Sequence, residues 1–206
     1  MKPITRLAFA SAMALAASLG AAQAQSNLTV ALQLEPPHLD PTSAAAGAID
    51  SVVYSNIFEG LTRFMGDGSI VPGLAESWEI SDDGLVYTFR LRDGVTFHDG
   101  TTMDAEDVKF SLDRARAEDS ANAQKALFTA ISEVEVVDPL TVKITLSEPN
   151  GLFLFNLAWG DAVIVAPESI ENIKTNPIGT GAFKFVDWVQ GDKVDVAKNP
   201  DYWGTP

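Results

Sequence analysis

Cysteine is absent from all 206 residues, and histidine is nearly so, with only His38 and His98. The first absence excludes disulfides, thiol catalysis and thiolate metal knuckles, and it leaves no thiol for lipid attachment. Two histidines far apart in the chain do not make a zinc or nickel site by themselves, so no metal is expected. Basic residues are scarce, 14 against 28 acidic ones, for a formal charge of −14. That excess repels nucleic acid and anionic lipid headgroups, so neither is expected as a partner. The chain also lacks a G-x-S-x-G elbow, an H-E-x-x-H helix and a Walker-type glycine loop, which removes the commonest hydrolase, zinc-protease and nucleotide signatures. Gly179-Thr180-Gly181 is too short for a dinucleotide fingerprint and reads as a backbone bend. No enzyme activity and no cofactor are expected.

Long apolar runs are missing too, except at the start. Lys2 and Arg6 precede an apolar stretch at residues 7–19, and Ala22-Gln23-Ala24 follows. This order reads as a cleaved secretory signal over residues 1–24, with the mature chain starting at Gln25. The stretch is shorter than the roughly 20 residues of a bilayer span. Removing Lys2 and Arg6 leaves 12 basic residues against 28 acidic ones. A free, monomeric, soluble periplasmic protein is expected.

What is present is a set of local codes. Residues 28–34 alternate, with Leu28, Val30, Leu32 and Leu34 on one side, which predicts a first strand, and Pro36-Pro37 forces an extended loop after it. Ile49, Val52, Val53 and Ile57 share a helical stripe, and Gly60 is placed to stop that helix. Met65-Gly66-Asp67-Gly68 and Ser81-Asp82-Asp83-Gly84 read as turns, the latter lacking the acid spacing of a calcium loop. Residues 86–92 alternate as a strand, Asp93-Gly94 and His98-Asp99-Gly100 turn, and a helix follows with Asp104 as its N-cap, Glu106 and Asp107 in the first turn and Arg114 and Arg116 near the end. Residues 132–147 predict a hairpin across Asp138-Pro139, with Glu133 and Glu135 on its solvent face. Residues 152–157 are apolar without a decisive period. Residues 180–199 predict two strands around Gln190-Gly191-Asp192. Strands and helices interleave without strict βαβ alternation, so the fold class is mixed α/β with largely antiparallel or mixed sheets.

These segments carry a family resemblance. Leu39-Asp40-Pro41, Phe58-Glu59-Gly60-Leu61, Gly73-Leu74-Ala75-Glu76-Ser77-Trp78, the block at 84–114, Leu146-Ser147-Glu148-Pro149, Pro177-Ile178-Gly179-Thr180-Gly181-Ala182-Phe183 and Asn199-Pro200-Asp201-Tyr202-Trp203-Gly204 stand in this order. The chain thereby resembles bacterial extracellular solute-binding proteins of family 5, receptors for oligopeptides, dipeptides, nickel chelates and related solutes that serve ATP-driven importers. The resemblance implies a periplasmic binding protein-like fold, class II with an extra subdomain. Two lobes joined by a hinge close over the ligand. Residues 25–206 would be the first lobe, with the extra subdomain at about 64–166 and the second lobe missing. It favours a short helix at 152–157, and it implies a peptide or similar small solute and the permease subunits of an importer as partners. Nickel chelates, haem, opines and oligosaccharides remain alternatives as cargo, and a short interaction protein is an alternative of another class.

For the site, the resemblance points to two regions. Glu35-Pro36-Pro37-His38 matches the loop after the first strand that contacts ligand in similar receptors. Trp159-Gly160-Asp161 matches a cleft-facing loop, where Trp159 would stack on the ligand and Asp161 would pair with a cation. Ser51 and Tyr54, off the apolar stripe of the intervening helix, complete the candidate set. Extended backbone beside aromatic walls suits a receptor that must grip peptide termini while tolerating side chains. Each residue has a plainer reading as well: the proline pair as a rigid connection, Tyr54 and Trp159 as packing. His98 reads as a structural turn, and Trp78, Trp188 and Trp203 as core.

Overall fold

The computed structural model describes residues 27–205. The signal segment expected at 1–24 lies outside them. Residues 27–31 belong to no helix or strand. The remainder, from Leu32 onward, is one compact unit.

That unit is built on a four-stranded antiparallel sheet. Its strands are β3 (Ala75–Ile80), β4 (Val86–Leu91), β5 (Ile131–Asp138) and β6 (Thr141–Leu146), in the order β3-β4-β6-β5. The alternation of β4 places Tyr87, Phe89 and Leu91 in the core. Val142, Ile144 and Leu146 of β6 do the same. Helix α2 (Ala105–Arg116) covers β5 and β6 and buries Val108, Leu112 and Ala115. Each large side chain so buried stabilises the fold by about 1.5–3 kcal/mol. Asp104 caps α2 by accepting from the Glu106 amide, while the Asp107 carboxylate accepts from the Asp104 amide, a reciprocal capping box. The expected turns close with left-handed glycines at Gly68, Gly84, Gly94 and Gly100. Glu133 is exposed and Glu135 pairs with Lys143 across the hairpin.

A smaller core lies beside the first. Leu39, Ile49, Val53, Ile57, Phe58, Val163, Val165 and Ile173 form it, with helix α1 (Gly47–Val53) on one side. A two-stranded ribbon of β1 (Thr62–Phe64) and β2 (Ile70–Pro72), the short helix α3 (Phe153–Asn156), and a hairpin of β7 (Phe183–Val189) and β8 (Lys193–Lys198) complete the unit. The buried Asp40 carboxylate accepts from the Thr42 amide and hydroxyl and faces Arg114 at 3.6 Å, tying the Leu39-Asp40-Pro41 loop to α2.

Three expectations are corrected. Residues 28–34 form no strand: Leu28, Val30, Leu32 and Leu34 are all exposed. Alternation prepares two faces, but a strand exists only where a neighbour accepts its ladder bonds. The first helix stops at Val53 rather than near Gly60. Tyr54 is extended, Ser55 takes φ 56, and the Ser55 amide donates to the Phe58 carbonyl, which closes a tight loop. Gly60 is required for another reason, since a Cβ there would come within 2.8 Å of the Leu157 carbonyl oxygen. Finally, Trp78, Trp188 and Trp203 are half-buried and pack at the edges of the two cores. The indole N–H of Trp203 explains its position, because it donates to Glu59 while Arg92 lies over the ring at 4.4 Å.

Candidate functional site

Two carboxylate centres stand out, one with donors on both oxygens and one with an oxygen left without a partner among the described residues. The first is Glu59. Thr180 Oγ1 and Trp203 Nε1 donate to its Oε2 at 3.0 and 2.8 Å, and the Tyr202 hydroxyl donates to Oε1 at 2.9 Å. Burial raises the Glu59 pKa above the ordinary carboxylate range, opposed by those three bonds. Burial and then the Glu59 charge push the Tyr202 phenol up to about 12. With its oxygens so engaged, Glu59 is a structural lock. Gly179 and Gly181 serve the same junction. An added Cβ at either would overlap the carbonyl of Ile57 or Asn56, so these glycines permit a close backbone approach beside the expected bend, which runs through Thr180, Gly181 and Ala182.

The second centre is formed by α1 and the Trp159-Gly160-Asp161 segment. Asp161 is 6% exposed, and its Oδ1 is buried with no hydrogen-bond partner among the described residues. Asp50, on α1, rests against Gly160, where a Cβ would lie 2.9 Å from the Asp50 Cγ. Burial first, and then the charge of Asp50, push the Asp161 pKa up to about 6. Burial also raises the pKa of Asp50. Among the described residues, no lysine or arginine forms an ion pair with either carboxylate.

A row of rings runs beside this pair. Tyr54 stacks with Phe64 at 6.2 Å between centroids, Phe64 lies tilted against Phe155 at 6.0 Å, and Phe155 meets Trp159 edge-on at 6.0 Å. Phe64, Phe155 and Trp159 are all partly open to solvent, a concentration of aromatic surface of the kind that binding faces carry. The Tyr54 hydroxyl donates to the Ala158 carbonyl and fixes the row to the loop. Burial holds its phenol above the ordinary value.

Of the residues read from the sequence, Tyr54, Trp159 and Asp161 come together here. Ser51 neighbours Asp50 on α1, but its hydroxyl donates to the Gly47 carbonyl. The loop 35–38 lies apart in its bonding. The Glu35 carboxylate accepts from the Gly191 amide at 2.6 Å, at the β7–β8 turn. Pro36 is buried, Pro37 is exposed, and His38 Nδ1 accepts from the Asp40 amide. His98 is engaged between the Gly181 carbonyl, 2.9 Å from Nε2, and the Gly179 amide, and burial lowers its pKa. Sequence reasoning missed Asp50, Phe64 and Phe155. The available signal was Asp50, an acid between Ile49 and Ser51 on the helix that ends just before Tyr54. Among the described residues no group of three or more His, Asp or Glu side chains could hold a metal ion.

Comparison with known proteins places this architecture. The model described as "Bacterial extracellular solute-binding proteins, family 5 Middle" matches residues 69–206. The chain is 41% identical over 169 residues to the glutathione-binding protein GsiB of Pectobacterium atrosepticum, covering 80% of this chain and 33% of that one. Among solved structures it superposes on the PBP AgaA in complex with agropinic acid from A. tumefacien R10 with a TM-score of 0.77 and 37% identity, covering 82% of this chain and 35% of that one. It also superposes on the ABC transporter-associated periplasmic binding protein DppA from Helicobacter pylori, in complex with the peptide STSA, with a TM-score of 0.75 and 33% identity, covering 83% and 38%. The chain therefore spans about a third of the length of the curated relatives it matches. It belongs to the bacterial extracellular solute-binding proteins of family 5.

Proposed function

We propose that this chain is the first lobe of the periplasmic substrate-binding component of an ABC importer, which takes up a peptide or similar small solute and delivers it to the membrane permease. The observation that carries the reading is the open aromatic row beside the Asp50–Asp161 pair, on a body that matches receptors of this family. Apolar walls with a few convergent polar groups are what a small-solute site requires. Residues 64–166 form the extra subdomain in this reading, and Tyr54, Trp159 and Asp161 contact the solute, with Ser51 and the 35–38 loop at the margin of the cleft. Function follows from closure. Contacts from two lobes favour the closed state over the open one, and the closed surface docks on the permease. Cargo leaves unchanged, so no catalytic group is needed.

Calorimetry tests the division of labour. The 206-residue chain supplies one wall of the cleft and binds glutathione and dipeptides weakly or not at all, while the full-length gene product binds its solute with micromolar or tighter affinity. Micromolar binding by the short chain alone refutes the one-lobe reading. Loss of the gene without loss of uptake of any solute that the full-length product binds refutes the transport role.

A further inference from the structure

A polar side chain buried between two exposed alanines needs a reason, because a buried amide without partners is costly. Asn122 is 6% exposed, while Ala121 and Ala123 on either side face solvent. It lies in the loop 117–124 that follows α2. The main chain of Asn122 is used inside that loop and its margin, the N–H donating to Ser120 Oγ and the carbonyl accepting from the Lys125 amide. Its side chain faces two ways. Oδ1 accepts from the Gln124 amide at 2.8 Å, within the loop, and Nδ2 donates to the Asp161 main-chain carbonyl at 2.9 Å, 39 positions along the chain. One acceptor and one donor on a one-carbon stem is the description of a primary amide. Aspartate has the acceptor without the donor, and alanine has neither.

The receiving end is the segment that carries Trp159. The Trp159 ring ends the aromatic row and is 38% exposed, and Gly160–Ala162 is a single 3-10 turn. The Ala162 amide donates to the Trp159 carbonyl at 3.0 Å, so Trp159 and Asp161 belong to one small turn. That turn is pinned before by the Tyr54 hydroxyl on the Ala158 carbonyl and after by the Ile164 amide on the Glu59 carbonyl. Between those points, among the described residues, Asn122 alone reaches the backbone of 159–161 with a side chain. Close packing does not do the same work from the loop side, where a cavity of about 270 Å³ is lined by Thr42, Arg114, Asp119, Ser120 and Asn122.

We propose that Asn122 is the positioning residue of Trp159. Through the Asp161 carbonyl, the loop 117–124 sets the place and tilt of the ring that closes the aromatic row, and with them the fit of the solute. Asn122 itself touches no solute. This deepens the receptor reading and rests on it for the effect on binding, while the positioning rests on the hydrogen bonds alone.

The test compares Asn122→Asp with Asn122→Ala. Aspartate keeps the acceptor for Gln124 and loses only the donor to Asp161; alanine loses both and adds no charge. Position is read on the 206-residue chain labelled with 5-fluorotryptophan, its 19F signals assigned by replacing each tryptophan with phenylalanine in turn. Both variants are expected to move or split the Trp159 signal and to leave those of Trp78, Trp188 and Trp203 in place. Gly179→Ala, a destabilising change at the Glu59 junction, is the control for a merely structural effect and is expected to leave Trp159 unmoved. A Trp159 signal that stays put in both variants, that moves with Asn122→Asp alone, or that Gly179→Ala moves as far, overturns the proposal. Binding is read by calorimetry on the full-length gene product with glutathione and a set of dipeptides. Without its tie the turn spends less time in the binding-competent position, so Asn122→Ala is expected to weaken binding by about tenfold. Unchanged affinity overturns the role of Asn122 in fit and leaves the receptor reading intact. If the native protein binds none of these solutes, the peptide-receptor reading falls, and the fluorine signals still decide whether Asn122 positions Trp159.

Discussion

Replacing Asp161 with asparagine should stabilise the protein at neutral pH and do little at pH 4. In the unfolded chain this carboxyl titrates near 3.8, and in the fold near 6, because burial and the charge of Asp50 both oppose ionisation. Below the unfolded value both states carry the proton, and the group exerts no penalty. As pH rises toward 6 the unfolded chain releases its proton first, so the folded state loses ground until its own carboxyl ionises, after which the deficit is constant. At 1.36 kcal/mol per unit the full deficit is about 3 kcal/mol, and water reaching the half-buried Asp50 side reduces it to between about 1 and 3 kcal/mol. Asparagine avoids this cost, fills nearly the same volume, and offers an N–H to Asp50. A change of 1 kcal/mol moves the melting temperature of a domain this size by about 2–4 °C. Thermal melts of native protein and variant at half-unit intervals from pH 3.5 to 8 should show a difference that grows between pH 4 and 6 and then levels. The comparison cancels Asp107, whose pKa burial also raises to about 6. A difference that is flat or shrinks with pH would show that Asp161 is not a penalised carboxylate.

Other outcomes follow from single atoms. Gly179→Ala forces a Cβ into the Ile57 carbonyl, where only backbone movement can make room, and urea titration should show a loss of about 3 kcal/mol or more. Gly160→Ala meets first the movable Asp50 carboxylate, so it should cost much less stability in the same titration, about 1 kcal/mol. Glu59→Gln keeps an acceptor for Thr180 and Trp203 but loses charge assistance and turns an amide toward Tyr202, for an expected cost of about 1–3 kcal/mol by urea titration. An unchanged midpoint would deny Glu59 its role as a lock.

The parts that the sequence announces are those written in a few neighbouring residues. The N-cap at Asp104 with its first-turn acids, the left-handed glycines of the turns and the alternation of β4 each obey a short-range rule, and each stands as read. The first strand failed because alternation at 28–34 says nothing about whether a partner is present. The helix end failed because Tyr54 is drawn out by the distant Ala158 carbonyl. At the site, Tyr54, Trp159 and Asp161 were legible as types, but their convergence with Asp50 depends on a glycine contact between segments far apart in the chain. Glu59 was visible as an acid set among Ile57, Phe58 and Leu61; its donors were not, since they lie 121 to 144 positions onward.

Those separations bear on the order of assembly. The Glu59 carboxylate is left hydrated until Thr180, Tyr202 and Trp203 have been synthesised and delivered, so this junction closes after the four-stranded sheet, whose pairings are far more local. A nascent molecule stalled before residue 203 would hold a competent sheet and an open seam at Phe58 and Ile57.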